Sequence, residues 1–82
     1  MPTTWLRDRE AFIATMTLEG MALEDIRRVL RAAQKWAQKG AVYTDEGSIV
    51  EGFQIQHAMS GGYTHIRKET GTAWYRVPTR AS

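Results

Sequence analysis

The spacing of apolar residues changes period at Gly40, and that change bounds what the chain can fold into. Before Gly40, apolar side chains recur every three or four residues, as one face of an α-helix requires. After it they alternate, as a strand with one buried face requires. Eighty-two residues supply material for one core only, so helices and strands must share it. The pattern predicts a single α+β domain, 1–82, in which two N-terminal helices pack on a C-terminal three-stranded antiparallel meander.

The first helix is expected over about 4–18. Trp5, Phe12, Ile13 and Met16 form its stripe, with Thr3 or Thr4 as N-cap and Gly20 as the stop. The second, in "ALEDIRRVLRAAQKWAQKG", is expected over about 22–38. Leu23, Ile26, Val29, Leu30, Ala33, Trp36 and Ala37 line its apolar face. Glu24 and Asp25 open it, Lys35 and Lys39 close it, and Gly40 follows, the order that a helix dipole and a glycine cap favour. Its outer face carries Arg27, Arg28, Arg31, Gln34, Lys35 and Gln38, which reads first as a solvated surface.

Beyond Gly40, "AVYT" is a short β-prone run and "DEGS" a turn. Strands are expected at about 49–59, 62–69 and 72–78, joined by a Ser-Gly-Gly turn and by Thr70-Gly71, with Gly52 marking a bulge. A two-residue loop at Thr70-Gly71 pairs Arg67 with Trp74, Ile66 with Tyr75 and His65 with Arg76. A loop at Ser60-Gly61 pairs Gln54 with Arg67, Ile55 with Ile66 and Gln56 with His65.

Because side chains alternate across a pleated strand, this register sorts the residues into two faces. Phe53, Ile55, His57, Met59, Thr64, Ile66, Ala73, Tyr75 and Val77 face the helices. Lys68 is the misfit on that side, with its stem along apolar surface and its amine in water. Gln54, Gln56, Tyr63, His65, Arg67, Trp74 and Arg76 face out. Arg67 over Trp74 makes a cation-π pair, which by itself explains part of the pattern as cross-strand stabilisation.

The chemistry available is narrow. The absence of cysteine removes disulfides, thiolate nucleophiles and Cys-ligated zinc. His57 and His65 fall on opposite faces, so no shared metal site is expected, and "EGSIVEG" and "SGG" lack the lysine and setting of a phosphate-binding loop. Asp45 and Glu46 read as turn residues. No catalytic set and no cofactor are expected. The opening "MPTTWLRDRE" lacks the apolar run of a signal peptide, and no stretch is apolar enough to span a bilayer, so the expectation is a cytoplasmic chain with no membrane partner.

Net charge is +2, distributed unevenly: residues 52–82 hold four basic side chains against Glu69 alone. That excess invites an anionic partner only mildly. Two local resemblances bear on it. "GGYTHIRKETGTAWYRVP" resembles the glycine, histidine, hairpin and proline pattern of small messenger-RNA-cleaving toxins built on a double-stranded-RNA-binding fold, which implies His65 as general base. The family's glycine-to-histidine spacing is tighter, and the two leading helices have no counterpart in it. "TMTLEGMALEDIRRVL" is similar to a helix-turn-helix with Gly20 at the turn, although Met16 stands where that motif wants a small side chain.

The leading expectation is a non-catalytic domain that binds another protein, as inhibitor or regulator, through Gln54, Gln56, Tyr63, His65, Arg67, Trp74 and Arg76. The alternative is a nucleic-acid-binding regulator of winged-helix or helix-turn-helix type. It would use Arg27, Arg28, Arg31, Lys35, Arg67, Lys68 and Arg76. A homodimer through a strand edge or the sheet face is a further assembly open to so small a domain.

Overall fold

The computed structural model describes residues 3–39, 50–57 and 64–78, apart from the side chains of Trp36, Gln38, Lys39 and His57. Its elements run β1 (Thr4–Leu6), α1 (Arg9–Leu18), α2 (Leu23–Lys39), β2 (Phe53–His57), β3 (Thr64–Lys68) and β4 (Ala73–Val77). The class is α+β, two helices on a sheet. That sheet has four strands in the order β1-β4-β3-β2, however, and it is mixed.

The added strand corrects the expected first helix. Thr4, Trp5 and Leu6 pair in parallel with Ala73, Trp74 and Tyr75, and the Thr4 N–H donates to Thr72 O at 3.1 Å. The helix begins only at Arg9, because Asp8 is its N-cap and not Thr3 or Thr4. Asp8 is extended (φ −151°, ψ 177°) and its carboxylate accepts from the Ala11 N–H at 2.9 Å. Trp5 therefore leaves the helical stripe, which reduces to buried Phe12 and Met16 with Ile13 half-buried.

Gly20 ends α1 as expected. It sits at φ +87°, its N–H reaches Thr17 O at 3.1 Å, and the Met21 N–H reaches Met16 O at 3.0 Å. These two bonds make a Schellman cap, which needs a left-handed residue. The second helix carries its apolar stripe across β2, β3 and β4, while α1 packs on α2, β1 and β4. Ile26, Val29, Leu30, Ala33 and Ala37 are buried; Leu23, expected on that stripe, is 45 % exposed at the helix start.

Both antiparallel registers match the expected pairings wherever they are described. Gln54, Ile55 and Gln56 oppose Arg67, Ile66 and His65, and Arg67, Ile66 and His65 oppose Trp74, Tyr75 and Arg76. The connections differ in detail. The β3–β4 loop is longer than Thr70-Gly71, since the strands stop at Lys68 and Ala73 and the Gly71 N–H closes a turn on Lys68 O at 2.9 Å. Gly52 marks a turn before β2 and not a bulge within it: it holds φ +89°, and the Phe53 N–H bonds Val50 O at 3.2 Å. The expected "AVYT" run, the "DEGS" turn with Asp45 and Glu46, the Ser60-Gly61 turn, Met59 and Tyr63 lie outside the described residues.

The core joins both layers. Phe12 from α1 stacks on Tyr75 at 5.5 Å between ring centroids and lies 6.2 Å from Phe53, and Ile66 is fully buried beneath α2. Burial of each such side chain contributes about 1.5–3 kcal/mol. Thr64, Ala73 and Val77 are buried on the same side of the sheet and Ile55 is half-buried, which leaves the other side of the sheet to solvent.

Candidate functional site

The parallel strand β1 changes the outer face of the sheet. Its register partner for Trp5 is Trp74, so both indoles project on the same side. Trp5 then leans across β4: its ring lies 4.7 Å from that of His65, edge-on, and 6.3 Å from that of Trp74. His65 and Trp74 are themselves 6.0 Å apart in a T-shaped contact. Three rings from three strands thus form one continuous surface, with Trp5 56 % exposed and the other two half-buried.

Arg67 fixes the next column. Its guanidinium carbon lies 5.0 Å from the Trp74 ring centroid. One terminal nitrogen donates to Lys68 O at 3.0 Å, to Gly71 O at 3.1 Å and to Glu69 O. The other donates to the Gln54 side-chain oxygen. The two hydrogens of the first nitrogen are shared among the three turn carbonyls while the second nitrogen reaches Gln54 on the neighbouring strand, a span that the single nitrogen of an ammonium cannot bridge. Arg67 therefore closes the β3–β4 turn and holds Trp74 in place.

Lys68, on the helix side, is tied down too. Its amine donates to Glu19 O at 3.2 Å and lies 3.8 Å from the Glu19 carboxylate, so the hairpin tip rests against the C-terminal cap of α1. The expected amine in open water is replaced by this contact. A helix C-terminus presents unpaired carbonyls, and a cation there is favourable.

Gln54, Gln56 and Arg76 are exposed around the rings. Burial, and after it the Arg76 guanidinium, hold the His65 imidazole below its ordinary pKa of 6.5. At neutral pH it is an uncharged ring, suited to stacking against indole. Of the residues expected to bind a partner, the structure gathers Gln54, Gln56, His65, Arg67, Trp74 and Arg76 on one face. Tyr63 lies outside the described residues.

The second set of expected residues divides between surfaces. Arg27, Arg28, Arg31 and Lys35 are exposed along α2, on the opposite layer from the rings, with Arg28 3.6 Å from Asp25. Arg67, Lys68 and Arg76 belong to the sheet. Strands β3 and β4 are the two central strands, so their hairpin is part of the platform and its tip is braced on α1. No group of three or more His, Asp or Glu residues with metal-binding geometry occurs among the described residues. No described helix is long and apolar enough to cross a membrane.

Trp5 is the residue that sequence reasoning missed. Its signal was present in "TTWL", a β-branched and aromatic run ending before an Asp that could cap a helix. The chain matches no protein-family model, and comparison with curated proteins and with solved structures yields no match. Geometry and chemistry are the grounds for a functional reading.

Proposed function

We propose that this chain is a non-catalytic interaction domain that docks another protein, as an inhibitor or regulator, on the outer face of its sheet. The observation that supports this most is the joining of Trp5, His65 and Trp74 into one surface in which the indole of Trp5 is the most exposed ring. Single exposed apolar residues are ordinary on a soluble domain, whereas contiguous aromatic patches mark places where partners bury surface. Tryptophan and arginine dominate the energetics of such contacts.

Pre-ordering supports the same reading. Because Arg67 is already tethered to Gln54 and to the turn carbonyls, Trp74 loses little freedom when a partner covers it. The partner this face suits has an apolar or aromatic centre to cover the rings and a carboxylate to meet exposed Arg76. Capture from nuclease-treated lysate tests the reading. The Trp5→Ala, Trp74→Ala double variant should lose the captured protein, and an Arg27→Gln, Arg28→Gln variant should keep it. Equal recovery by all three proteins removes the sheet face from consideration.

A second reading, nucleic-acid binding, rests on the exposed Arg27, Arg28, Arg31 and Lys35 of α2. On duplex DNA each phosphate contact contributes about 0.9 to the slope of log affinity against log salt. Filter binding at two salt concentrations therefore tests it, and absence of binding at roughly 50 mM salt ends it.

A further inference from the structure

On the helix side of the sheet, away from the rings, the first turn of α1, the middle of α2 and β4 enclose a cleft of about 170 Å³. Arg9, Arg31 and Gln34 stand around it, and Leu30, Tyr75 and Val77 supply its apolar wall. We propose that this cleft binds a small organic carboxylate with a compact apolar body, the carboxylate between Arg9 and Arg31 and the body against Leu30, Tyr75 and Val77.

Three observations support this assignment. First, the two guanidinium groups come from different helices and make no hydrogen bond or ion pair among the described residues, so their donors are available to a ligand. Guanidinium groups pair with carboxylates through two parallel bonds, which gives both strength and orientation. Second, Tyr75 is 7 % exposed and its hydroxyl has no hydrogen-bond partner among the described residues. Tyr75 lines the cleft, so its phenol is a hydrogen-bond donor left over for a ligand oxygen.

The phenol also stays protonated. Burial raises its pKa above the ordinary 10.0, with Arg9 lowering it and Asp8 raising it, so at neutral pH it is a donor. Third, the size is selective: an apolar cavity of about 150 Å³ is enough to admit a benzene ring, whereas drug-sized ligands need roughly 300–1,000 Å³. Asp8 is the nearby opposing charge, and its carboxylate is turned to the Ala11 N–H as the cap of α1. Gln34 donates weakly to Pro78 O at 3.5 Å, which leaves its side-chain oxygen for a donor on the ligand body.

Benzoate is the probe, followed through the Leu30 and Val77 methyl signals by carbon-13 NMR. Ligand efficiency for a molecule this small corresponds to a dissociation constant of about 0.5–10 mM. Arg9→Gln and Arg31→Gln, both at exposed side chains, should each weaken benzoate about 10-fold, the loss expected for a charge-assisted hydrogen-bond pair. Tyr75→Phe should weaken it a few-fold while keeping the core. Benzyl alcohol, with the same ring and no charge, should bind more weakly than benzoate by a similar factor. The proposal is overturned by any of three results: no saturable shift of those methyls, equal affinity in wild type and both arginine variants, or inorganic phosphate binding as tightly as benzoate. None of these outcomes bears on the sheet face, which shares no residue with the cleft.

Discussion

Arg67 and Trp74 face each other across β3 and β4, with the guanidinium carbon 5.0 Å from the indole centroid. The same guanidinium holds the carbonyls of the hairpin turn. One side chain thus links the outer surface of the sheet to the closure of its central hairpin. Arg67→Ala removes both functions and should lower unfolding free energy by about 2 kcal/mol in urea titration. Arg67→Lys keeps the charge but not the fork of donors, and should recover about half of that. A loss within about 0.5 kcal/mol for Ala would show that the contacts are exposed and weak.

Asp8, not Thr3 or Thr4, caps α1. Asp8→Ala should cost about 1 kcal/mol, the usual value of an N-cap carboxylate. Thr3→Ala should change stability by less than about 0.5 kcal/mol. Thermal unfolding of the two variants side by side separates the assignments.

Among the described residues two glycines hold left-handed backbone, Gly20 at φ +87° and Gly52 at φ +89°. A methyl group at Gly20 meets nothing within 4 Å, whereas at Gly52 it meets Met21 Cε at 3.0 Å. Gly20→Ala should therefore cost about 1 kcal/mol from backbone conformation alone. Gly52→Ala should cost more, since Met21 must also shift, and urea midpoints for the pair measure the difference.

His65 gives the fold a pH dependence whose sign follows from its neighbours. Its folded pKa lies below 6.5, because of burial first and the Arg76 charge on β4 second; the Trp5 and Trp74 rings pack against it, and Gln56 is its register partner on β2. Below the unfolded value of 6.5 the unfolded chain binds the proton more readily. Stability should fall as pH drops from 7 toward 5 and level off only beneath the folded pKa. His65→Phe should flatten that part of the profile, and denaturation midpoints across this range provide the check.

The alternation of the C-terminal half made its faces legible in the sequence. Ile66, Tyr75 and Val77 have the parity of the core, and Arg67, Trp74 and Arg76 have the other, so a single register satisfied both sides. The cap at Gly20 and the stripe of α2 were legible for similar reasons, since each is a local rule with a residue to carry it. Strand β1 was not. Three residues are too few to show alternation, and Trp5 stands at helical distance from Phe12 and Met16, so period alone assigned it to the helix. Its pairing with β4 is a contact between the two ends of the described chain, which no local pattern encodes. The Arg67 bonds to the turn were hidden for a related reason, because they follow from where the turn carbonyls point and not from residue type.

The account centres on the sheet face carrying Trp5, His65 and Trp74 as the surface a partner protein covers. Hydroxyl-radical footprinting of the purified domain, free and with its captured partner, measures this residue by residue. Oxidation of Trp5 and Trp74 should fall sharply on capture while exposed Leu18 and Leu23 on the helical layer keep their reactivity. Undiminished oxidation of both tryptophans, with protection appearing along α2, would contradict it.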